Sequence, residues 1–340
     1  MRDLVVVGGG PVGLATALYA ARAGLDVEVL ERRAGIIDKA CGEGLMPAAV
    51  AALVDLGVRP AGHPLAGIRY LDGRHAAEAA FRHGPGLGVR RTTLHTALRE
   101  AVADAGIRVV HRDVRTVVDH GDHVRVDGVA ARHLVAADGL HSTVRRVVGL
   151  EAPPARVRRY GLRAHVPTAP WTDFVEVHWS GSAEAYVTPV GTGLVGVAVL
   201  SRDRVPLATL MAQFPMLHAR LGGGPMAPVR GAGPLRQRTR ARVAGRVLLV
   251  GDAAGYVDAL TGEGIAAGLA QARAAVDAVA AGRPERYESA WRRICRRNDL
   301  ITAGLLTAGR VPAVRRRVVA AASRLPRVFD AAVDQLARPA

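Results

Sequence analysis

The hexapeptide Gly8-Gly9-Gly10-Pro11-Val12-Gly13 constrains this chain more than any other segment. It lies between Asp3–Val7, an apolar run that reads as a strand, and Pro11–Ala23, an apolar run that reads as a helix. At such a junction Gly8 permits the tight turn, Gly10 lets the backbone approach a diphosphate, and Gly13 lets the helix pack closely on the strand. The free amides at the helix start then face the phosphates. Asp26–Leu30 reads as a second strand, and Glu31 closes it about 20 residues after the turn, where a carboxylate can bind ribose hydroxyls. Together these features point to a dinucleotide-binding βαβ unit.

Gly191-Thr192-Gly193-Leu194-Val195-Gly196 also matches GxGxxG, but it joins two β-rich runs, YVTPV and VGVAVL, with no helix after it. It reads as a hairpin turn. The chain therefore has one dinucleotide site with this signature and no separate nicotinamide-binding domain.

Further along, Thr92–Ala105 reads as a helix and Ile107–Val110, Val114–Val118 and Leu134–Ala137 as strands. From Tyr160 to Leu200 the runs FVEVHW, AEAYVTPV and GLVGVAVL alternate or are β-branched, the pattern of an antiparallel meander. Parallel α/β character returns at Arg246–Val250 and in a long helix after Gly264. From Pro284 the chain is helical and arginine-rich. The expected class is α/β mixed with α+β: a discontinuous Rossmann-type domain over 1–70, 88–155 and 235–282, an inserted antiparallel β-sheet substrate domain over 71–87 and 156–234, and C-terminal helices over 283–340.

A net charge of +16 raises the question of nucleic acid. Lys39 is the only lysine amid abundant arginine, alanine, glycine and valine, and aromatics make up 4%, too few for a base-stacking surface. Residues 283–340 carry 13 arginines against 5 acids, so much of the excess is local. No nucleic-acid partner is expected. Cys41 and Cys295 form no metal-ligand cluster, and no metal is expected. No apolar run reaches membrane-spanning length, and the start MRDLVVVGGG lacks the parts of a signal peptide, so a cytoplasmic protein is expected. Val328, Phe329, Ala332, Val333 and Leu336 fall at helical spacing after VRRRVV; they fit either a peripheral membrane contact or a helix packed on the body.

Two further segments carry chemistry. LVAADGLHSTVRRVVG is an apolar strand ending at Asp138-Gly139, followed by Ser142 and Arg145 on a short helix. RVLLVGDAAGYVDALTGEGIAAGLAQA ends a buried strand at Asp252 and opens a helix at Thr261–Gly264. Amides at that helix start suit negative charge on a reduced ring system.

GGGPVG, ADGLHSTVR and GDAAGYVDALTGEG, in this order and spacing, resemble the FAD-dependent monooxygenases of the para-hydroxybenzoate hydroxylase fold. Within it the nearest likeness is to geranylgeranyl-reductase-like FAD oxidoreductases. The resemblance spans nearly the whole chain and implies FAD as cofactor, with Gly8, Gly10, Pro11, Val12 and Gly13 at its diphosphate. It also implies that Glu31 and Arg32 hold the adenosine ribose, that Arg91 contacts the cofactor, and that the Val114 backbone clamps adenine. Asp138 matches the aspartate of the DG motif, associated with FAD and NAD(P)H handling. Asp252 and the turn Gly262, Gly264 and Ile265 match the ribityl and pyrimidine contacts. The chain departs from the pattern at Asp258-Ala259, where a proline is usual, and at Ile265, where many aromatic hydroxylases have asparagine.

The segment Asp38-Lys-Ala-Cys41-Gly42-Glu-Gly44-Leu-Met-Pro47 resembles the CGxGL of prenyl reductases, which puts Cys41, Gly42 and Gly44 beside the isoalloxazine. Cys41 is then either a small residue fitted against the ring or, with a lowered pKa, a nucleophile or acid. Lys39 is either a partner for phosphate or flavin charge or a surface lysine. In the meander, Glu176 and His178 share one face, as do Glu184, Tyr186 and Thr188. If that sheet roofs the flavin, Glu176, His178, Tyr186 and Thr188 are candidate substrate contacts; otherwise they face solvent. Arg163 and His165 carry the same ambiguity.

The function expected first is an FAD-dependent monooxygenase. It would take NADPH or NADH as transient hydride donor and O2 as oxidant, and oxygenate a small aromatic or olefinic substrate through a flavin C4a-hydroperoxide. The alternative is an FAD-dependent reductase of isoprenoid double bonds, which CGEGL favours. A flavin halogenase is disfavoured, because no WxWxIP-like segment accompanies Trp171, Trp179 or Trp291. A non-catalytic FAD-binding module is the reading from another class.

Overall fold

The computed structural model describes residues 1–338 apart from 224, 225, 227 and 310. Its first strand, Arg2–Val7, runs parallel to Val27–Glu31 on one side and to Val129–Ala136 on the other. Leu4, Val5 and Val6 are fully buried, as expected where both faces of a parallel sheet are covered by helices. Arg108–His111 and Val247–Leu249 extend the parallel order at either side, and a short antiparallel strand, Val243–Ala244, closes one edge. Parallel strands end on the same side. The loops after Val7, Ala136 and Leu249 therefore converge at one rim although more than a hundred residues separate them, and such a rim is where open α/β sheets bind ligands.

The expected strand Val114–Val118 is shorter and shifted, at Val117–Asp119. The Asp127 carboxylate accepts the amides of Arg115 and Thr116 and the Thr116 hydroxyl, removing the donors that a strand ladder would use there. This frees the Val114 backbone from the sheet beside the rim.

A second sheet of seven strands stands against the first. Its order is Arg230–Ala232, Tyr160–Val166, Leu194–Ser201, Ala183–Gly191, Phe174–Trp179, Gly67–Leu71 and Ala76–Ala80. All neighbours are antiparallel except Phe174–Trp179 with Gly67–Leu71. The last pair of strands arrives from a distant part of the chain, and the expected boundary at 70/71 falls inside Gly67–Leu71. One face of this sheet packs Ala185, Val187, Val197 and Val199 against the helices Leu207–Met211 and Pro215–Arg220. The other face looks back toward the first sheet. Gly44–Leu45, Gly86–Gly88 and His63–Leu65 form a small third sheet between them.

The C-terminal helix Pro326–Ala337 packs on the second sheet. Phe329 and Val333 lie against Ala77 and Ala79, and Leu336 lies near Met46. This corrects the membrane-contact alternative for that apolar face: Phe329, Val333 and Leu336 are buried, and of the five spaced residues only Val328 is well exposed. Among the described residues no helix is long and apolar enough to cross a membrane.

Candidate FAD and substrate site

A cavity of about 990 Å³ fills the space between the rim of the first sheet and the inward face of the second. At its nucleotide end Gly8 has φ +107°. A Cβ on Gly13 would stand 1.8 Å from the Gly8 carbonyl oxygen, so Gly13 is behind the cavity wall, where it seats the helix. Gly8, Gly10, Pro11 and Val12 border the cavity itself. No side chain caps the helix Pro11–Arg22 and no acid lies in its first turn, which leaves its amides available to an anion.

Glu31 ends its strand buried at this wall. Its Oε2 accepts the Gly9 amide at 2.6 Å and its Oε1 the Arg33 amide at 2.8 Å. The glycine loop is thereby braced by the residue expected at the ribose, while Arg32 lies exposed on the rim and Val114 is buried beneath it. Arg91 is buried at the start of the helix Arg91–Asp104 and reaches toward Gly10. Its Nε is buried with no hydrogen-bond partner among the described residues.

His95, one turn further along the same helix face, accepts the Ile37 amide at Nδ1 and donates from Nε2 to the Gly9 carbonyl at 2.8 Å. Burial pushes its pKa down, which keeps this neutral tautomer. Sequence reading passed over it, although its i, i+4 spacing from Arg91 in RRTTLHTAL puts both on one face.

Asp138 uses Oδ2 to accept the Thr143 and Val144 amides, and its Oδ1 is buried with no partner among the described residues. Arg145, 1% exposed, joins this loop to the next one. It donates to the carbonyls of Leu140, Asp252 and Ala253 and to Gln237 Oε1. Burial raises the pKa of Asp252, opposed by the charges of Lys39, Arg91 and Arg145. Lys39 is itself half-buried at the cavity, close to Gly139, and burial lowers its pKa. It is not a surface lysine. Gly262, Gly264 and Ile265 border the cavity at the start of the helix Gly264–Ala280.

The Cys41–Gly44 segment forms the wall between the nucleotide end and the second sheet. Burial raises the Cys41 pKa, and its sulfur accepts the Glu43 amide at 3.4 Å. This is the environment of a neutral thiol. Glu43 was not singled out by sequence, yet it organises the segment. It sits at φ +60° and is 2% exposed. Its Oε1 accepts the Arg91 amide at 2.9 Å, and its Oε2 pairs with His165 Nε2 at 2.7 Å. Arg163 is ion-paired with Asp38 and lies beside Glu43. Thr188 fixes the same segment to the sheet through its hydroxyl, which donates to the Gly42 carbonyl at 2.8 Å.

From Gly67–Leu71 across to Leu194–Ser201, the side chains that the second sheet presents to the cavity beyond this segment are mostly apolar. Ile68, Tyr70, Val175, Val177, Ala198 and Leu200 line the cavity there. Tyr186 joins them with its ring, its hydroxyl donating to the Leu260 carbonyl. Met46, Phe81, Val333 and Leu336 border the cavity at the C-terminal helix.

Of the four expected substrate contacts, Tyr186 and Thr188 border the cavity and Glu176 and His178 do not. Glu176 points to the opposite face, where it accepts hydrogen bonds from Arg69 and Trp171 Nε1 and pairs with His178. Strand alternation groups Glu176 with His178 but cannot say which face of the sheet meets the cavity. Glu184 is inward but held by Arg159 and Arg315.

The residues fit a dinucleotide flavin. The space lies near the upper end of the roughly 300–1,000 Å³ typical of small-molecule sites. A free helix N-terminus beside Arg91 suits a diphosphate. The buried, unpartnered Asp138 Oδ1 and Arg91 Nε are the kind of polar atoms a bound group satisfies.

The FAD binding domain family model matches residues 1–215. The chain is 33% identical to the menaquinone reductase of Mycolicibacterium smegmatis over 326 residues, 85% of this chain and 79% of the relative. It is 32% identical to digeranylgeranylglycerophospholipid reductase 1 of Methanopyrus kandleri over 336 residues, 85% of each. The crystal structure of p-nitrophenol 4-monooxygenase PnpA from Pseudomonas putida DLL-E4 superposes with a TM-score of 0.82, covering 99% of this chain and 98% of that one, at 20% identity, a likeness of fold. With its three FAD motifs gathered at one sheet rim and a family match over more than half its length, the chain belongs to the FAD binding domain family of flavin-dependent oxidoreductases.

Proposed function

We propose that this protein is an FAD-dependent reductase of carbon–carbon double bonds in a polyprenyl chain. The observation that carries this reading is the apolar continuation of the cavity, walled from Ile68 to Leu200 across four adjacent strands and ending at Val333 and Leu336. A long hydrocarbon tail gains about 0.8 kcal/mol for each methylene it buries, and among the described residues no charged side chain lines the cavity on that stretch of wall. The names of the menaquinone and digeranylgeranylglycerophospholipid reductases it resembles, and the CGEGL segment, support the same order of preference. It reverses the order expected from sequence, in which oxygenation came first.

Bound FAD would supply the two-electron redox chemistry, with NADPH or NADH as its donor. The residues of the chain do the rest. Gly8, Gly10, Pro11, Val12 and Arg91 would hold the diphosphate, and Gly13 holds their helix in place. Glu31, Arg32 and the Val114 backbone would hold the adenosine, and Asp138 and Asp252 the middle of the cofactor. Gly262, Gly264 and Ile265 would offer backbone to the pyrimidine edge, where helix-start amides favour negative charge. Cys41, Gly42 and Gly44 would form the ring-side wall, with Glu43 as their anchor. Tyr186 and Thr188 would border the reacting end of the tail, and the sheet would exclude water.

Substrate chain length tests the reading. KM should fall with each added isoprene unit until the cavity is full. Ala198→Leu, which adds volume to the wall, should raise KM for long tails about tenfold (about 1.4 kcal/mol) while leaving flavin absorbance unchanged. A KM indifferent to both tail length and Ala198→Leu would overturn it.

A further inference from the structure

Behind the Thr261–Gly264 turn lies a second, smaller cavity of about 210 Å³. Asp252, Tyr256, Thr261 and Gly264 border both cavities, so the turn is the partition between them. Glu263, the N-cap of the helix Gly264–Ala280, is 4% exposed and borders only the second cavity. Neither of its carboxyl oxygens has a hydrogen-bond partner among the described residues. A buried carboxylate in that condition either holds a proton or recruits something that can donate to it. At about 30 Å³ each, several waters fit beside it, and Arg238 at the border of the cavity is exposed.

Among the described residues, the groups facing this cavity leave Glu263 without a cation of its own. Arg242 is engaged by Glu288 and lies 3.4 Å from the centre of the Trp291 ring. Asp258, on the loop before the turn, is paired with Arg159, and Arg236 and Arg238 flank the opening without bonding Glu263. From the helix Arg286–Ala308, Cys295 is a neutral thiol pushed up to about 12. Asp299 from that helix adds like charge, and the Tyr256 hydroxyl stays neutral. Burial, reinforced by Asp299, raises Glu263 to about 8.

We propose that Glu263 is a proton-uptake site coupled to the redox state of the flavin. It holds a proton, drawn from solvent through the second cavity, while the ring carries the negative charge of two-electron reduction. The electrons pass from an external two-electron donor to the flavin and none reaches Glu263; wherever the oxidised form has lost its proton, one proton moves onto the carboxylate on reduction and leaves again on re-oxidation, and at lower pH the proton stays in both states. A helix start at the pyrimidine edge would account for the coupling. An ionised Glu263 at that terminus would cancel the positive end of the helix dipole, and a neutral one leaves it in force. This inference needs bound FAD but holds whichever substrate the enzyme takes.

The test is the midpoint potential of the FAD-loaded full chain, followed by spectroelectrochemistry from about pH 6 to about pH 10. Above about pH 8 the oxidised form has lost the Glu263 proton and reduction must restore it. Reduction that takes up one proton there takes up two, so the slope against pH steepens roughly twofold. Glu263→Gln should remove the inflection and keep the flavin colour. Asp299→Asn should keep the inflection but move it to lower pH, by removing the like charge. An inflection that persists in Glu263→Gln, or its absence from the unmodified protein, overturns the proposal. If Glu263→Gln does not retain flavin, an inflection unmoved by Asp299→Asn overturns it alone.

Discussion

Gly13→Ala should yield a protein that purifies without flavin absorbance, while Gly193→Ala should yield one indistinguishable from the parent. Both glycines belong to a GxGxxG segment, and only geometry separates them. A methyl on Gly13 would stand 1.8 Å from the Gly8 carbonyl oxygen, a backbone atom that cannot rotate away. The helix Pro11–Arg22 would have to lift off its strand, at a cost of about 3 kcal/mol, the upper range for overpacking a core. The amides expected at the diphosphate would move with it. A methyl on Gly193 would meet no atom within 4 Å, and the φ there is not left-handed, so alanine fits. Flavin content per chain and a thermal unfolding midpoint read both effects. A flavin-loaded Gly13→Ala protein would contradict this account of the turn.

Arg145→Ala should be nearly as damaging, through a different cause. The guanidinium is among the largest fully buried side chains and bridges the Asp138 loop to the Asp252 loop through four acceptors. Truncation strands buried carbonyls, each unmet group costing about 1–3 kcal/mol. Arg145→Lys should not rescue it, because one ammonium cannot span a fork of acceptors. Urea unfolding should show the loss in both variants, with flavin lost at lower denaturant than in the parent. A lysine variant of parental stability would show that the charge, and not the bridge, is what matters.

The parts of the molecule that sequence made legible are those where local pattern and site coincide. The Gly8–Gly13 turn, the strand ends at Asp138 and Asp252 and the hairpin at Gly191–Gly196 each announce themselves within about ten to twenty residues by periodicity and glycine spacing. What stayed hidden is non-local. The parallel pairing of Gly67–Leu71 with Phe174–Trp179 joins segments that share no turn, so the boundary at 70/71 cut a strand. Glu176 and His178 were correctly grouped on one face, but the choice of face depends on the Arg69 and Trp171 partners across the sheet. Glu43 was visible as a letter in CGEGL; its left-handed backbone and its reach to Arg91 and His165 exist only once three elements meet. Val114–Val118 had the composition of a strand, and a single aspartate side chain at position 127 claimed its donors.

Anaerobic single turnover separates the two chemistries that this family supports. The FAD-loaded protein is reduced under argon, mixed with a polyprenyl-tailed lipid, and the product is analysed by mass spectrometry. The reductase reading predicts that the flavin re-oxidises without O2 and that the tail gains two hydrogens. No turnover until O2 is admitted, with a product that has gained one oxygen, would contradict it and restore the monooxygenase.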